Sequence, residues 1–237
     1  MQGLEAPERG VSWVLGEVEY QLAPAGAQGV VPCLRSDTWG HAEPTLVSEL
    51  RSRGIVPAAF TELDTAFWST AGPVVVLSVS SDVLQRAWRH RETSQRLAPF
   101  RQWQSAWSEE ARAWLSSEFD DEGLIPLDRT KANLLRALTE LRGTTVILVN
   151  MFRAVSEERP IRHDGADESL RERIRRANLV VAELSHVTGA LVADVDGALA
   201  RVGSNVLGSD HALTSDAARS LATAEIARVL RTLEPRR

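Results

Sequence analysis

A chain of 237 residues with 43% hydrophobic and 25% charged side chains can bury one good-sized core, and length alone also allows two. A net charge of -5 excludes the concentrated positive field that a sequence-independent grip on nucleic acid needs, and no apolar run is long enough for a spanning helix. The single cysteine, Cys33, rules out an internal disulfide framework, and no secretory-type apolar segment follows Met1, so a cytoplasmic protein without membrane association is expected.

In chain order, residues 1–28 form an N-terminal extension whose stretch WVLGEVEYQLA is expected to add an edge strand or a small hairpin. The main domain, 29–237, opens on GVVPCL at 29–34 and continues with IVPAAF at 55–60, PVVVLSV at 73–79, TTVILVN at 144–150 and ALVADV at 190–195. Each run has the length of a buried strand, is rich in Val and Ile and lacks polar alternation, as parallel strands covered on both faces do. Helical periodicity lies between them. The stretch 44–54 carries Leu46, Val47 and Leu50 and ends on Gly54. The stretch 132–143 carries Leu134, Leu135, Leu138 and Leu141 and closes on Gly143; 168–188 and 215–231 are longer amphipathic helices. Alternation of this kind predicts an α/β protein, a flavodoxin-like three-layer α/β/α sandwich on a five-stranded, mainly parallel sheet.

Two segments interrupt the rhythm. An insert at about 83–128 holds Trp88, Trp103, Trp107 and Trp114, the last three spaced for one helical face that packs on the sheet or forms a lid, with a substrate-facing aromatic wall as the alternative. In RERIRRAN, 171–178, Arg and Glu alternate at helical spacing, which predicts a solvated, salt-bridged face.

Ligands of an open parallel sheet bind beyond the carboxyl ends of its strands. Those ends carry Ser36 and Asp37 after the first run, Ser80, Ser81 and Asp82 after the third, Asn150 after the fourth, and Asp194 and Asp196 after the fifth. The loop before the last helix adds Asp210 and His211. Hydroxyls, carboxylates and one imidazole at a single edge suit acyl chemistry on a small molecule: a serine nucleophile, a base from a late loop, and donors for the oxyanion. No histidine or cysteine spacing suggests a metal site, and no cofactor is expected.

The order of these blocks resembles the SGNH hydrolases, or GDSL esterases and lipases, from about Val30 to Leu230. CLRSDTWG resembles the family's Gly-Asp-Ser-x-Thr, with Ser36 at the nucleophile, Thr38 at the following Thr, and Leu34 and Arg35 in place of Gly and Asp. VSSD, 79–82, resembles Gly-x-Asn-Asp, with Ser81 at the oxyanion-binding Asn. Ala58 or Ala59 stands near the block that supplies a backbone oxyanion donor, and SDHALT resembles the final Asp-x-x-His with Asp210 and His211 adjacent rather than spaced. The resemblance implies a divergent member with degenerate catalytic blocks: Ser36, His211 and Asp210 as catalytic residues, and Ser81, Asp82, Ala58 and Asn150 as oxyanion- or substrate-binding residues. Three functions stay open. The chain is a serine esterase or acyltransferase, a degenerate relative that binds a ligand or partner, or a catalyst of elimination or cyclisation in the same cleft. A biosynthetic setting in a bacterium is a compositional inference, and the sequence leaves the oligomeric state open.

Overall fold

Val74, Val75, Val76 and Leu77 have polar atoms only in their backbones, so a strand made of them is stable only where both faces are covered. In the computed structural model, which describes residues 12–15, 18–21, 43–57, 74–99, 101–153, 169–203 and 216–233, this is their setting. Strand β3 (Val74–Ser78) pairs in parallel with β7 (Thr145–Val149), which pairs in parallel with β8 (Leu191–Ala193). Strands β1 (Ser12–Leu15) and β2 (Val18–Gln21) precede them as an antiparallel hairpin.

The period of two along a strand sorts the core into two halves. Val75, Leu77, Val146 and Leu148 face one side, with α1 (Pro44–Ser52), α5 (Leu127–Glu140) and α6 (Leu170–Thr188). Val74, Val76, Ile147 and Val149 face the other, with α7 (Val195–Val202) and α8 (Asp216–Arg231). Helices therefore cover both faces of a parallel sheet, an α/β arrangement of three layers. Each fully buried aliphatic side chain contributes about 1.5–3 kcal/mol, so these strands carry much of the fold's stability.

The sheet departs from the expected five strands: among the described residues the parallel sheet has three. The first expected strand, 29–34, lies outside the described residues, as do Ala58 and the rest of 58–60. Ile55 and Val56 are buried but lie in a bend after α1, where Ile55 and Val56 both donate to the Leu50 carbonyl. Their apolar character comes from packing under the helix, which a short apolar run does not distinguish from a strand.

Helix boundaries follow local chemistry. Pro44 starts α1 at a position where a missing N–H costs nothing, and Gly54 (φ 68°) follows its end. Helix α6 starts at Ser169, whose hydroxyl accepts from the Glu172 N–H at 3.2 Å, and stops at Gly189 in the left-handed region (φ 75°).

The insert differs from expectation. Its centre is an antiparallel sheet in the order β5 (Arg96–Leu97), β4 (Arg86–His90), β6 (Phe119–Leu124). The tryptophans do not share one helix. Short α3 (Arg101–Ser105) ends before Trp107, and α4 (Glu109–Glu118) starts afresh where Ser108 accepts from the Ala111 N–H at 3.1 Å. Trp107 donates its indole N–H to the Ile55 carbonyl at 3.0 Å and meets Trp88 edge-on at 6.2 Å. Trp114 packs against Phe119 at 5.7 Å and under the Arg53 guanidinium at 4.4 Å. These aromatics fasten the insert to α1 and its exit.

Candidate functional site

The registers of the parallel sheet bring its strand ends level. Ser78 pairs with Val149 and Val149 with Ala193, so the residues that follow, Val79, Asn150 and Asp194, lie side by side at the carboxyl edge. At about 4.8 Å per strand, this row spans about 10 Å.

At the β3 end the chain turns sharply. Val79 (φ −88°, ψ 0°) leads into the single-turn helix α2 (Ser80–Leu84). Ser78 Oγ accepts from the Ser80 N–H at 3.2 Å and donates to Ser80 Oγ at 3.0 Å, closing the turn. Ser78, Ser80, Ser81 and Asp82 are all buried, Asp82 completely. Such polar groups are tolerated inside a protein only with partners. Asp82 Oδ1 accepts from the Thr130 hydroxyl of α5 at 3.3 Å.

From α6, Arg173 reaches under the same turn. It is 4% exposed and donates from Nε to the Val83 carbonyl at 3.0 Å, and from one terminal nitrogen to the carbonyls of Asp82 (3.0 Å) and Ile125 (2.6 Å). The expectation of a solvated face for 171–178 therefore holds for Arg175, which pairs with Glu172 at 2.7 Å on the surface, and fails for Arg173. The Arg175 hydrogen bond favours the charged form of Glu172 and holds its carboxyl below the ordinary range. Arg173 was findable: Leu170, Arg173, Ala177, Val180 and Leu184 step by three and four, which puts it in the apolar stripe.

At the β7 and β8 ends the polar groups engage one another. Asn150 donates its amide N–H to Asp194 Oδ1 at 2.7 Å and accepts from the Asp196 N–H at 3.2 Å. Asp194 Oδ1 also caps α7 by accepting from the Gly197 N–H at 2.9 Å. A Cβ at Gly197 would run into the Asp194 carboxylate, so a larger residue here would have to displace the cap. Asp196 accepts from the Arg153 N–H at 2.8 Å and pairs with its guanidinium, while Asn178 and the Met151 backbone exchange two hydrogen bonds at 2.9 and 2.8 Å. Arg153, Asn178, Thr130 and Arg173 are parts of this edge that sequence reasoning missed, because their partners are backbone groups or residues more than 25 positions away.

Of the residues singled out from the sequence, the structure brings Ser81, Asp82 and Asn150 to the same sheet edge. Ser36, Ala58, Asp210 and His211 lie outside the described residues. Among the described residues no cluster of His, Cys, Asp or Glu could hold a metal ion, and no helix is long and apolar enough to cross a membrane.

No protein-family profile and no curated protein matches the chain. Among solved structures it is similar to a variant of an acetyl-xylooligosaccharide esterase from Geobacillus Stearmophilus, with a TM-score of 0.46 and 15% identity over 86% of this chain and 94% of that one.

Proposed function

We propose that the protein is a divergent SGNH-type serine acyl hydrolase or acyltransferase acting on an ester or thioester of a small apolar metabolite. Ser36 Oγ attacks the acyl carbonyl while His211 takes its proton and then delivers it to the departing alcohol or thiol. Asp210 balances the imidazolium charge. The Ser36 and Ala58 backbone N–H groups and the Ser81 hydroxyl donate to the oxyanion, with Asp82 and Asn150 flanking the substrate. Water, or an acceptor alcohol or amine, then takes the acyl group from Ser36 and regenerates the hydroxyl.

One observation carries this reading. The buried Ser78–Ser80–Ser81 turn stands at the end of β3, level with the ends of β7 and β8, where a parallel sheet places its ligands and where the resemblance puts an oxyanion donor. The test is turnover of a panel of short-chain and aromatic acyl esters and thioesters by the parent, Ser36→Ala and His211→Ala. Loss of turnover in the first and a drop of about a hundredfold or more in the second are expected; equal rates in all three proteins refute the proposal.

A second reading, a non-catalytic binder on the same scaffold, is favoured by the replacements themselves: Leu34 and Arg35 for Gly-Asp, Ser81 for Asn, and Asp210 directly before His211. It predicts that no acyl ester is turned over and that Ser36→Ala leaves ligand affinity unchanged.

A further inference from the structure

We infer that Arg173 is the positioning residue of this edge: its guanidinium holds the α2 turn, and with it Ser81 and Asp82, at the height where Ser81 meets a substrate. The inference rests on the role given to Ser81 above.

The physical case begins with α2 itself. A helix of one turn leaves its last carbonyls without intrahelical partners, and within a buried turn those oxygens need donors from elsewhere. The Ser81 carbonyl receives the Gln85 N–H at 3.0 Å. The next two, Asp82 and Val83, receive Arg173. The third Arg173 partner, the Ile125 carbonyl, belongs to the segment that leads from β6 into α5, and α5 also supplies Thr130 to Asp82. One side chain thus ties α6, α2 and the entrance to α5 together directly beneath the Ser80–Ser81 turn.

Arginine suits this place for two reasons. It cannot shed its proton on burial, so it remains a donor whatever the surroundings, and its planar fork aims several N–H groups in fixed directions. Lysine has three donors but all on one nitrogen, whereas the three carbonyls are met here from two separate guanidinium nitrogens. Charge at the end of α2 also complements the negative end of a helix dipole.

The test compares Arg173→Met, Arg173→Lys and Leu184→Ala. Leu184 is fully buried on the same helix about three turns away, so its truncation weakens α6 without touching the carbonyls. Two quantities are read at matched folded fraction: the rate at which a fluorophosphonate modifies Ser36, and hydrogen exchange of the Val83 and Gln85 amides, which close α2 onto Val79 and Ser81. Arg173→Met is expected to slow modification by about tenfold or more, the order that misplacement of a site group by a fraction of an ångström produces. It should also speed exchange at both amides, Arg173→Lys should fall between it and the parent, and Leu184→Ala should match the parent in both. If Arg173→Met does not fold, Arg173→Lys carries the comparison. Parent-like exchange at Val83 and Gln85 in the Arg173 variants, or equal changes in Leu184→Ala, overturns the inference. A parent that takes no label sinks the acyl-transfer reading, while the exchange comparison still decides whether Arg173 holds the turn.

Discussion

Among the described residues, two three-stranded sheets solve the same backbone problem in opposite ways. In β3–β7–β8 the backbone bonds are sheltered by apolar side chains on both faces, and the only side-chain polarity lies at or near the strand ends. In β5–β4–β6 one face carries a ladder of charges: Arg96 with Glu122 at 2.6 Å, Glu122 with Arg89 at 3.3 Å, Arg89 with Asp120 at 3.1 Å, and Asp120 with Arg91 at 2.9 Å. The first sheet is held by burial, and its strand ends are free to carry function. The second is registered by ion pairs between half-exposed side chains, which define partners across the sheet and add little stability each.

The sharpest break of this contrast is Ile147→Ala, at a fully buried position in the central parallel strand. A loss of about 2–5 kcal/mol in urea unfolding is expected from lost transfer energy plus the cavity; a loss under about 1 kcal/mol would contradict the layered core. Next comes the polar end of the same sheet. Asn150→Ala removes the amide that links Asp194 to the Asp196 N–H; the exposed Asp194 keeps its Gly197 N–H, so the expected loss of about 1–3 kcal/mol comes from the buried Asp196 N–H left without its acceptor. A double-mutant cycle with Asp194→Ala checks it: full additivity would mean that the 2.7 Å bond carries no coupling.

In the charged sheet, Arg96→Gln breaks the shortest rung of the ladder, yet about 1 kcal/mol or less should be lost, and less still at high salt. A loss above about 2 kcal/mol would show that the two sheets do not differ as described. The smallest effect is in the pH dependence of Asp121. Burial pushes its carboxyl up, but the Arg86 hydrogen bond, the Gly123 N–H and the Arg86 charge together hold it below its ordinary value. A carboxyl depressed in the folded state stabilises above its unfolded pKa, about 3.9, and that contribution disappears as the pH falls below it. Asp121→Asn should therefore be slightly less stable than the parent at pH 6, with the difference shrinking as the pH falls through the lowered folded-state pKa; a difference that grows on acidification would contradict the assignment.

The same contrast explains what could be read from the chain. Strands β3, β7 and β8 were legible because runs such as VVVLS and TVILV are short, rich in β-branched residues and lack polar alternation, as strands covered on both faces are. Strands β4 and β6, RAWRH and FDDEGL, were not, since their charges are satisfied only by partners across the sheet, which lie about 30 residues away. In IVPAAF, Ile55 and Val56 are buried under α1 without strand pairing, and 58–60 lie outside the described residues. At the site, the strand-end rule led to Ser81, Asp82 and Asn150. That rule does not reach Arg173, which lies inside a helix; its place in the apolar stripe of α6 marks it as buried, while its three carbonyl partners come only from the fold.

The proposed activation of Ser36 is checked by the intact mass of the parent and of Ser36→Ala after incubation with a fluorophosphonate. One adduct per chain is expected on the parent and none on Ser36→Ala. An unmodified, folded parent, or equal labelling of both proteins, would contradict it.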